Sequence, residues 1–461
     1  MPPGAGDKPS GEAPGSLATI GRGWLAAIFA ASAVYAGAVA LFSGIGVHRQ
    51  WAIIAAPAYV LAAVAAAAWK RRGLDLSLLL GFAGGLVVPL TWMAVHGESQ
   101  REIKVIIRSA WSLLHHGTPY HSTATLAATQ NPDVFNPYLP VMALFGMART
   151  VVGGGVLTDP RVWLGITFIA AFALALSTAG GADAWRWTAL VTATPLVAFP
   201  LAVGGDDLPV LGLMCLGLAL LWRPQRQPAV ILAGLTLGVA AAMKATAWPV
   251  LIVAVASLAA RDGRRAVARF GFTALATFAV LVGPVFAVAP SALVENTILF
   301  PLGLSHVKSG AASPLPGYLL AQTGHAGHLV AVGLLALAGL ALALSLIIRP
   351  PRTCRAATWW LIIGLVLMFT LAPASRFGYY VYPAGLWVWL QVSGLGRAVA
   401  PAGGPPAPAS PAPGPAEPNA DAAMPVPGSP ASASPGPGSP ASASLMTGPA
   451  EPGAPAGPAV T

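Results

Sequence analysis

Long apolar runs dominate this sequence, and they are of the length needed to cross the roughly 30 Å of hydrocarbon in a bilayer. They predict about twelve membrane-spanning helices, at residues 24–45, 51–69, 76–96, 161–179, 186–203, 208–222, 228–243, 246–259, 268–289, 327–348, 356–372 and 377–393. The pattern therefore predicts an all-α, polytopic membrane protein.

The longest polar segment between the first and last apolar runs covers residues 98–140. In its first half, apolar residues such as Ile103 and Ile106 recur at helical spacing, and Gly117 follows the last of them. This spacing predicts an amphipathic helix at 98–115. In a protein that consists mostly of membrane-spanning segments, such a helix is expected to lie on the bilayer surface with its apolar stripe in the interface.

The basic residues predict the orientation. With a cytoplasmic N-terminus, cytoplasmic loops contain Lys70–Arg72, Arg223, Arg226, Arg261–Arg269 and Arg349–Arg355, as the positive-inside rule requires. This holds only if the apolar segment 138–157 does not span, so we interpret that segment as a second interfacial or re-entrant helix. Both termini are then cytoplasmic, and two large loops, 97–160 and 290–326, lie on the extracytoplasmic side of the plasma membrane.

Composition divides the chain into three parts. Residues 1–21 are rich in Gly, Pro and Ser, and residues 398–461 are rich in Pro, Ala, Gly and Ser. Both segments are expected to be disordered and cytoplasmic. Residues 22–397 form the predicted transmembrane domain.

Charge and hydropathy exclude a soluble nucleic-acid-binding protein. The chain is 56% hydrophobic and only 9% charged, whereas soluble domains have about 25% charged residues. The net charge of +10 is explained by the positive-inside rule, so membrane lipids are the expected surroundings and nucleic acid is not an expected partner. Cys215 and Cys354 form no metal-ligand pattern, and no metal site is predicted.

Three ionisable residues interrupt the apolar pattern at its centre. Lys244 lies between two apolar runs, where it either holds an anionic group of a lipid or extends to the interface from a helix end. Asp206 and Asp207 stand in the sequence GGDDLP, which breaks a helix. They either face an aqueous cavity, where carboxylates bind a metal or sugar hydroxyls, or simply cap a helix.

Further candidates lie in or near the outer loops. Glu102 opens the amphipathic helix and could act as a general base, or it could belong to a solvated helix face. Asp133, in NPDVFNPYLP, suits either sugar recognition or an Asx turn. Arg376 precedes a group of tyrosines, a combination that binds phosphate and sugar but is also common at membrane interfaces.

Four stretches carry a resemblance to a known family: EIKVIIRSAWSLLHHGTPYH, NPYLP, GGDDLPVLGL and AGLTLGVAAAMKATAWP. They resemble bacterial integral-membrane glycosyltransferases of the GT-C superfamily, in particular the GT87 group, also called DUF2029. That group includes actinobacterial alpha-mannosyltransferases that use polyprenyl-phosphate-mannose. The resemblance covers roughly residues 95–260, and it implies a GT-C-like fold with amphipathic helices on the outer face.

The resemblance also implies a reaction. A hexose, expected to be mannose, would pass with inversion from a polyprenyl-phosphate-sugar to a hydroxyl of an envelope glycolipid or glycan. Glu102 corresponds to the family's catalytic base, which is usually Asp, and the alternative bases are Asp133, Asp206 and Asp207. The donor phosphate would be held by Lys244, Arg376 and Arg108. Sugar and acceptor would be bound by Asp206, Asp207, Asp133, Tyr120, Asn136 and Tyr138. No cofactor is expected, because the lipid-linked sugar is itself the activated donor.

Two other functions fit the same sequence. A transporter or lipid flippase would use an outer cavity without covalent chemistry, and a catalytically inactive relative would keep the fold alone. Transporters tend to show paired helix breaks in both halves. Only one clear break, at GGDD, is evident in the sequence, which favours the enzyme.

Overall fold

The computed structural model describes residues 21–68, 72–181, 183–223 and 226–395. Helices are the regular secondary structure of these residues, and no strand is assigned among them, which confirms the predicted all-α polytopic class. The predictions of disorder at 1–21 and 398–461 fall, apart from Gly21, outside the described residues. The helices before the second large loop are α1 (Arg22–Phe42), α2 (Gly46–Ala68), α3 (Gly73–Phe82), α4 (Val88–Val95), α5 (Arg101–His116), α6 (Thr123–Ala128), α7 (Met147–Val152), α8 (Pro160–Thr178), α9 (Ala184–Ala193), α10 (Pro195–Val203), α11 (Asp207–Leu221), α12 (Arg226–Met243), α13 (Trp248–Arg261) and α14 (Gly263–Val288).

The remaining helices are α15 (Pro290–Val294), α16 (Pro316–Ala321), α17 (His325–Ile348), α18 (Cys354–Leu371) and α19 (Val381–Val392). Short 3₁₀ segments lie at Pro132–Val134, Pro140–Gly146, Ala245–Ala247 and Phe377–Tyr380, and π-helical turns lie at Ala83–Val87 and Glu295–Leu299. The first π-helical turn joins α3 and α4 into one apolar span, Gly73–Val95.

By length and apolarity, seven described helices can cross a membrane, or eight if the bent pair α9–α10 counts as one span. This is fewer than the twelve or so predicted, although every predicted span is helical. The difference comes from short helices: α11 has 15 residues, α13 has 14 and α19 has 12. α11 begins at Asp207, and α12 ends immediately before Lys244. The helices therefore break at the polar residues of the candidate site.

The large loops lie at one end of the helix bundle. We call this end the loop face. There α5 is tied to the end of α10 by a hydrogen bond from Gln100 N to Val203 O (2.8 Å), and the loop before Pro140 is tied to the end of α12 by Leu139 N to Met243 O (3.0 Å). At the opposite end, Arg186 of α9 pairs with Asp75 of α3 at 3.5 Å. The helix ends therefore alternate between two faces, as expected for a polytopic bundle.

The predicted amphipathic helix is confirmed as α5. Its buried side includes Ile103, Ile106 and Ala110, while Trp111 on the other side is 48% exposed. Gly117 ends the helix in the left-handed conformation, with φ of 68°, which favours glycine. The buried side of α5 packs on the 3₁₀ segment Pro140–Gly146.

The segment predicted not to span is also short. The apolar stretch Pro140–Val152 combines a 3₁₀ segment with α7 and has fewer than the roughly 20 residues that a spanning helix needs. It packs against α5 and α8, and its interfacial or re-entrant position stays a prediction.

The two large loops contact each other on the loop face. Asn136 N donates to Asn296 Oδ1 (2.7 Å), and Phe135 stacks on Phe300 with ring centroids 4.3 Å apart. A hydrogen bond also joins the His306 ring to Thr129 O (2.9 Å). These contacts hold the first loop against the second and fix the surroundings of the site.

Candidate active site

Lys244 lies at the break between α12 and the 3₁₀ turn before α13. Its backbone is extended, with φ of −157° and ψ of 137°, so the helix cannot continue through it. The residue is only 7% exposed. Its Nζ donates to Asp206 Oδ2 at 2.7 Å and also to Asp207 Oδ1. A buried lysine is therefore neutralised by two carboxylates.

The two aspartates are placed by the break between α10 and α11. Gly205 has φ of 84°, a conformation that glycine adopts without strain. Gly204 lies so close to Gln100 that a Cβ would come within 2.7 Å of the Gln100 Oε1 atom. This glycine pair turns the chain sharply, and Asp206 and Asp207 then begin α11 facing Lys244.

Tyrosines surround the ion-paired lysine. The Lys244 Nζ atom lies 5.2 Å from the ring centroids of both Tyr138 and Tyr379, a cation–π distance. The Tyr382 hydroxyl donates to Asp207 Oδ1 (2.8 Å) and accepts from Thr246 Oγ1 (2.9 Å). We call these residues the Lys244 cluster: Asp206, Asp207, Lys244, Thr246, Tyr138, Tyr379 and Tyr382.

A second ion pair joins Glu102 to Arg376. The Arg376 Nη1 atom donates to Glu102 Oε1, and its Nη2 atom reaches Gly310 O at 3.5 Å. The Glu102 side chain is 14% exposed and that of Arg376 is 39% exposed. This pair is therefore more accessible than the Lys244 pair.

The two ion pairs are neighbours. Tyr379 contacts Lys244 through its ring and is bonded through its backbone N to Arg376 O (3.1 Å). Gln100, two residues before Glu102, is bonded to Val203, just before the Gly204–Gly205 turn. Four segments distant in sequence thus meet at one place on the loop face.

Asp133 takes part in neither ion pair. It accepts from Arg101 Nη1 at 3.2 Å, and its side chain is 42% exposed. Its backbone N is bonded to the Asn131 side chain (2.9 Å), so it also forms the Asx turn considered from the sequence. Of the predicted acids, Glu102, Asp206 and Asp207 therefore belong to the two neighbouring ion pairs, whereas Asp133 is paired with Arg101.

Three other predicted site residues are engaged within the first loop. Arg108 Nη2 donates to Val134 O (3.2 Å), and the Tyr120 hydroxyl donates to Tyr138 O (2.9 Å). The Asn136 side chain bonds Pro119 O (3.4 Å) and accepts from Tyr138 N (3.1 Å). These bonds hold the Tyr138 ring against Lys244.

Burial shifts the pKa of two of these groups. It lowers the pKa of Arg108, and the nearby Asp133 carboxylate opposes this shift only in part. Burial also raises the pKa of the Tyr120 hydroxyl, which stays protonated and remains a hydrogen-bond donor. Both side chains donate hydrogen bonds to backbone carbonyls of the first loop, so they stabilise the conformation of that loop.

Tyr379, Tyr382 and Thr246 have no individual signature in the sequence that marks them as site residues. The run YYVY after Arg376 was a visible signal, but spacing alone does not show which ring meets a lysine more than 130 residues earlier in the chain. The separation between Tyr382 and its partner Thr246 is 136 residues. The packing of α19 against α11 places Tyr382 next to Asp207, and the 3₁₀ turn before α13 brings Thr246 to the same hydroxyl.

The donor set of the site suits phosphate and sugar. Guanidinium and ammonium groups bind phosphate oxygens, and carboxylates accept hydrogen bonds from hydroxyls. Among the described residues, no group of three or more His, Cys, Asp or Glu side chains is arranged to hold a metal ion.

Comparison with known proteins gives one match. No curated protein and no solved structure matches the chain. The model of glycosyltransferase family 87 matches residues 136–373, just over half of the sequence. The match includes Asp206, Asp207 and Lys244, whereas Glu102 precedes it and Arg376 follows it by three residues. On this match, with an all-α membrane fold around a site of buried carboxylates and cations, the chain belongs to glycosyltransferase family 87.

Proposed function

We propose that the protein transfers a hexose, expected to be mannose, from a polyprenyl-phosphate-sugar to a hydroxyl of an envelope glycolipid or glycan. The observation that carries this proposal is the accessible Glu102–Arg376 pair beside the buried Lys244 cluster. Together they provide a cation that can bind phosphate, a carboxylate that can act as a base, and further carboxylates that can accept hydrogen bonds from sugar hydroxyls. Family membership supports sugar transfer, and the donor and acceptor classes are our inference.

Arg376 is the better placed of the two cations to receive the donor phosphate. Lys244 is paired with two carboxylates, so its cluster carries a net charge of −1 and repels an anion. Arg376 is paired with one carboxylate and is more exposed. An incoming phosphodiester can therefore exchange with Glu102 as the ligand of Arg376.

That exchange would also prepare the base. Once Arg376 holds the phosphate, the Glu102 carboxylate is free to accept a proton from the acceptor hydroxyl. The acceptor oxygen then bonds to the anomeric carbon, and the bond from that carbon to the phosphate oxygen breaks. Polyprenyl phosphate leaves with the bonding electrons, and Arg376 stabilises the negative charge that develops on it.

The Lys244 cluster would position the sugar. The described bonds use Oδ2 of Asp206 and Oδ1 of Asp207. The second oxygen of each carboxylate would accept from hydroxyl groups of the hexose, while Lys244 and Tyr382 hold the carboxylates in place. Carboxylates oriented in this way can distinguish one hexose from another.

We further propose an orientation in the membrane and transfer without a cofactor. The loop face would be extracytoplasmic in the plasma membrane and both termini cytoplasmic, as the basic loops predict. No metal or other cofactor would be needed, because Arg376 supplies the positive charge at the leaving group. Chelation of divalent metals should then leave transfer unchanged.

The test is transfer by the purified protein in proteoliposomes with radiolabelled polyprenyl-phosphate-mannose and a crude envelope lipid acceptor. Label in a larger glycan would support the proposal. Movement of labelled lipid between leaflets without transfer would instead indicate a flippase. If neither occurs with donors carrying several hexoses, an inactive relative is the better description.

A further inference from the structure

Arg161, near the start of α8, is a buried arginine that belongs neither to the Lys244 cluster nor to the Glu102–Arg376 pair. Its side chain is 1% exposed. Asp159 caps α8 by accepting from Arg161 N (3.0 Å), and the same carboxylate accepts from Arg161 Nε (2.9 Å) and Nη2 (2.8 Å). This bidentate pair fixes the orientation of the guanidinium.

The remaining arm of the guanidinium reaches the end of α10. Arg161 Nη1 donates to Ala202 O at 2.7 Å, and Ala202 lies in the last turn of α10. Here α8 packs closely on α10, since a Cβ on Gly165 would lie 3.0 Å from Leu201 Cδ2. The guanidinium therefore joins the first turn of α8 to the last turn of α10.

The carbonyl that Arg161 satisfies is the one that a continuous helix would use for Asp206. An α-helix bonds the N–H of residue i+4 to the carbonyl of residue i, so Asp206 N would donate to Ala202 O if α10 continued. Arg161 donates to this carbonyl instead. The helix can then end, and the chain can turn at Gly204 and Gly205, without leaving that carbonyl unpaired.

The same replacement occurs one residue later. Val203 O would accept from Asp207 N in a continuous helix, but it accepts from Gln100 N (2.8 Å). Gln100 lies two residues before the proposed base, Glu102. Two donors from outside the helix thus stabilise the end of α10, immediately before both aspartates of the Lys244 cluster.

We propose that Arg161 is a positioning residue. Its hydrogen bond to Ala202 O sets the turn that presents the two aspartates to Lys244, and the aspartates then select the hexose. The selection rests on the proposed function, because there these carboxylates bind the sugar. Stability alone accounts poorly for the buried pair, since replacing such a pair with apolar groups of similar volume is often neutral or stabilising.

The main test variant combines Asp159→Asn with Arg161→Met. Asparagine still caps α8, and methionine fills space without an unpaired buried charge, so this double variant should melt within about 4 °C of wild type. The matched control, Asp75→Asn with Arg186→Met, makes the same two changes in an ion pair at the opposite end of the bundle. Arg161→Lys is a further variant, which keeps the charge beside Asp159 but loses the planar fork that serves both partners.

The first measurement needs no turnover. Hydrogen–deuterium exchange of the full-length protein in detergent would follow peptides that contain Gln100, whose amide is bonded to Val203 O at the end of α10. Loss of one hydrogen bond at that end should speed exchange of this amide about tenfold in the double variant, and less in Arg161→Lys. The control pair should exchange as wild type does.

The second measurement is hexose selectivity in the transfer assay. The ratio of kcat/KM for polyprenyl-phosphate-mannose to that for polyprenyl-phosphate-glucose should move toward 1 by at least about fivefold in the double variant, because misplaced carboxylates distinguish hexoses less well. A loss of folded protein alone would lower both values equally and leave the ratio unchanged.

The two measurements separate this inference from the proposed function. If wild type transfers no sugar while exchange still rises in the Arg161 variants, the proposed function fails and the positioning of the turn is supported. Exchange at Gln100 equal to that of wild type in the folded variants would overturn the inference. An unchanged hexose ratio in variants that transfer sugar would also overturn it.

Discussion

Arg376 donates a hydrogen bond to Glu102 across 274 residues of sequence, and this pair joins the start of α5 to the segment before α19. Neither residue lies within the part of the chain that matches glycosyltransferase family 87. They nevertheless meet beside the Lys244 cluster, which does lie within it. The pairing makes Glu102 a resting ligand of the cation that we propose binds phosphate, so the roles of the two residues are coupled.

Glu102→Gln should abolish most transfer while leaving the protein folded. The amide cannot accept the acceptor proton, and the loss should be at least about 100-fold in kcat, the contribution of a positioned general base. Transfer of radiolabel in proteoliposomes measures this. Asp75→Asn, an acid that pairs with Arg186 at the other end of the bundle, serves as the matched control. Turnover within a fewfold of wild type would remove Glu102 as the base and leave Asp207 as the next candidate.

Arg376→Ala should lower kcat about 100-fold, as is typical when a group that stabilises developing charge is removed. Arg376→Lys should lose less, since it keeps the charge but not the planar fork that matches a phosphate. Steady-state kinetics with the lipid-linked donor would rank wild type, Lys and Ala in that order. Equal activity of the Lys and Ala variants would show that the charge of Arg376 has no part in transfer.

Lys244→Met should destabilise the protein by about 3–5 kcal/mol, because it leaves the buried carboxylates of Asp206 and Asp207 facing each other without a cation. Thermal unfolding in detergent measures this, with the exposed Arg352→Ala as control. Adding Asp206→Asn and Asp207→Asn to Lys244→Met should recover most of the stability and none of the activity. A melting temperature unchanged by Lys244→Met would contradict the ion-paired arrangement.

Tyr382→Phe should reduce transfer while the protein still folds. The hydroxyl holds Asp207 in place and receives a bond from Thr246, so its loss lets the carboxylate rotate away from the sugar. Hydrogen bonds to charged groups contribute about 1.5–3 kcal/mol, which predicts roughly a tenfold or greater fall in kcat/KM. Tyr318→Phe, in α16, is the control and should behave as wild type.

Gly317→Ala should destabilise the loop face. A Cβ on Gly317 would collide with the backbone carbonyls of Leu371 and Ala372, and overpacking of this kind costs about 1–3 kcal/mol. Relief of this collision would move the segment after α18. That movement would disturb the bridge between Ala312 and Ser375 and therefore the position of the neighbouring Arg376. Gly333→Ala, where a Cβ meets no atom within 4 Å, is the matched control in α17. The two variants should differ both in melting temperature and in donor KM.

The hydrophobic pattern by itself determined the fold class and several elements. The apolar runs predicted the helices, because a helix satisfies the backbone hydrogen bonds of a segment that is buried in a bilayer. The spacing from Ile103 to Leu114 and the glycine at 117 gave α5. The hydrophobic pattern could not give the number of full-length spans. α11 and α13 are shortened by the helix breaks at Asp206 and Lys244, which hydropathy alone does not locate.

The sequence also indicated the residues of the site, but only tertiary structure decided their relationships. Lys244, Asp206 and Asp207 were each conspicuous as charges among apolar residues. That the lysine is neutralised by both aspartates depends on α11 packing against α12, and that Arg376 meets Glu102 depends on how the second large loop and α19 close over the first. Side chains separated by 38 or 274 residues leave no local pattern, because a through-space ion pair constrains neither spacing nor propensity.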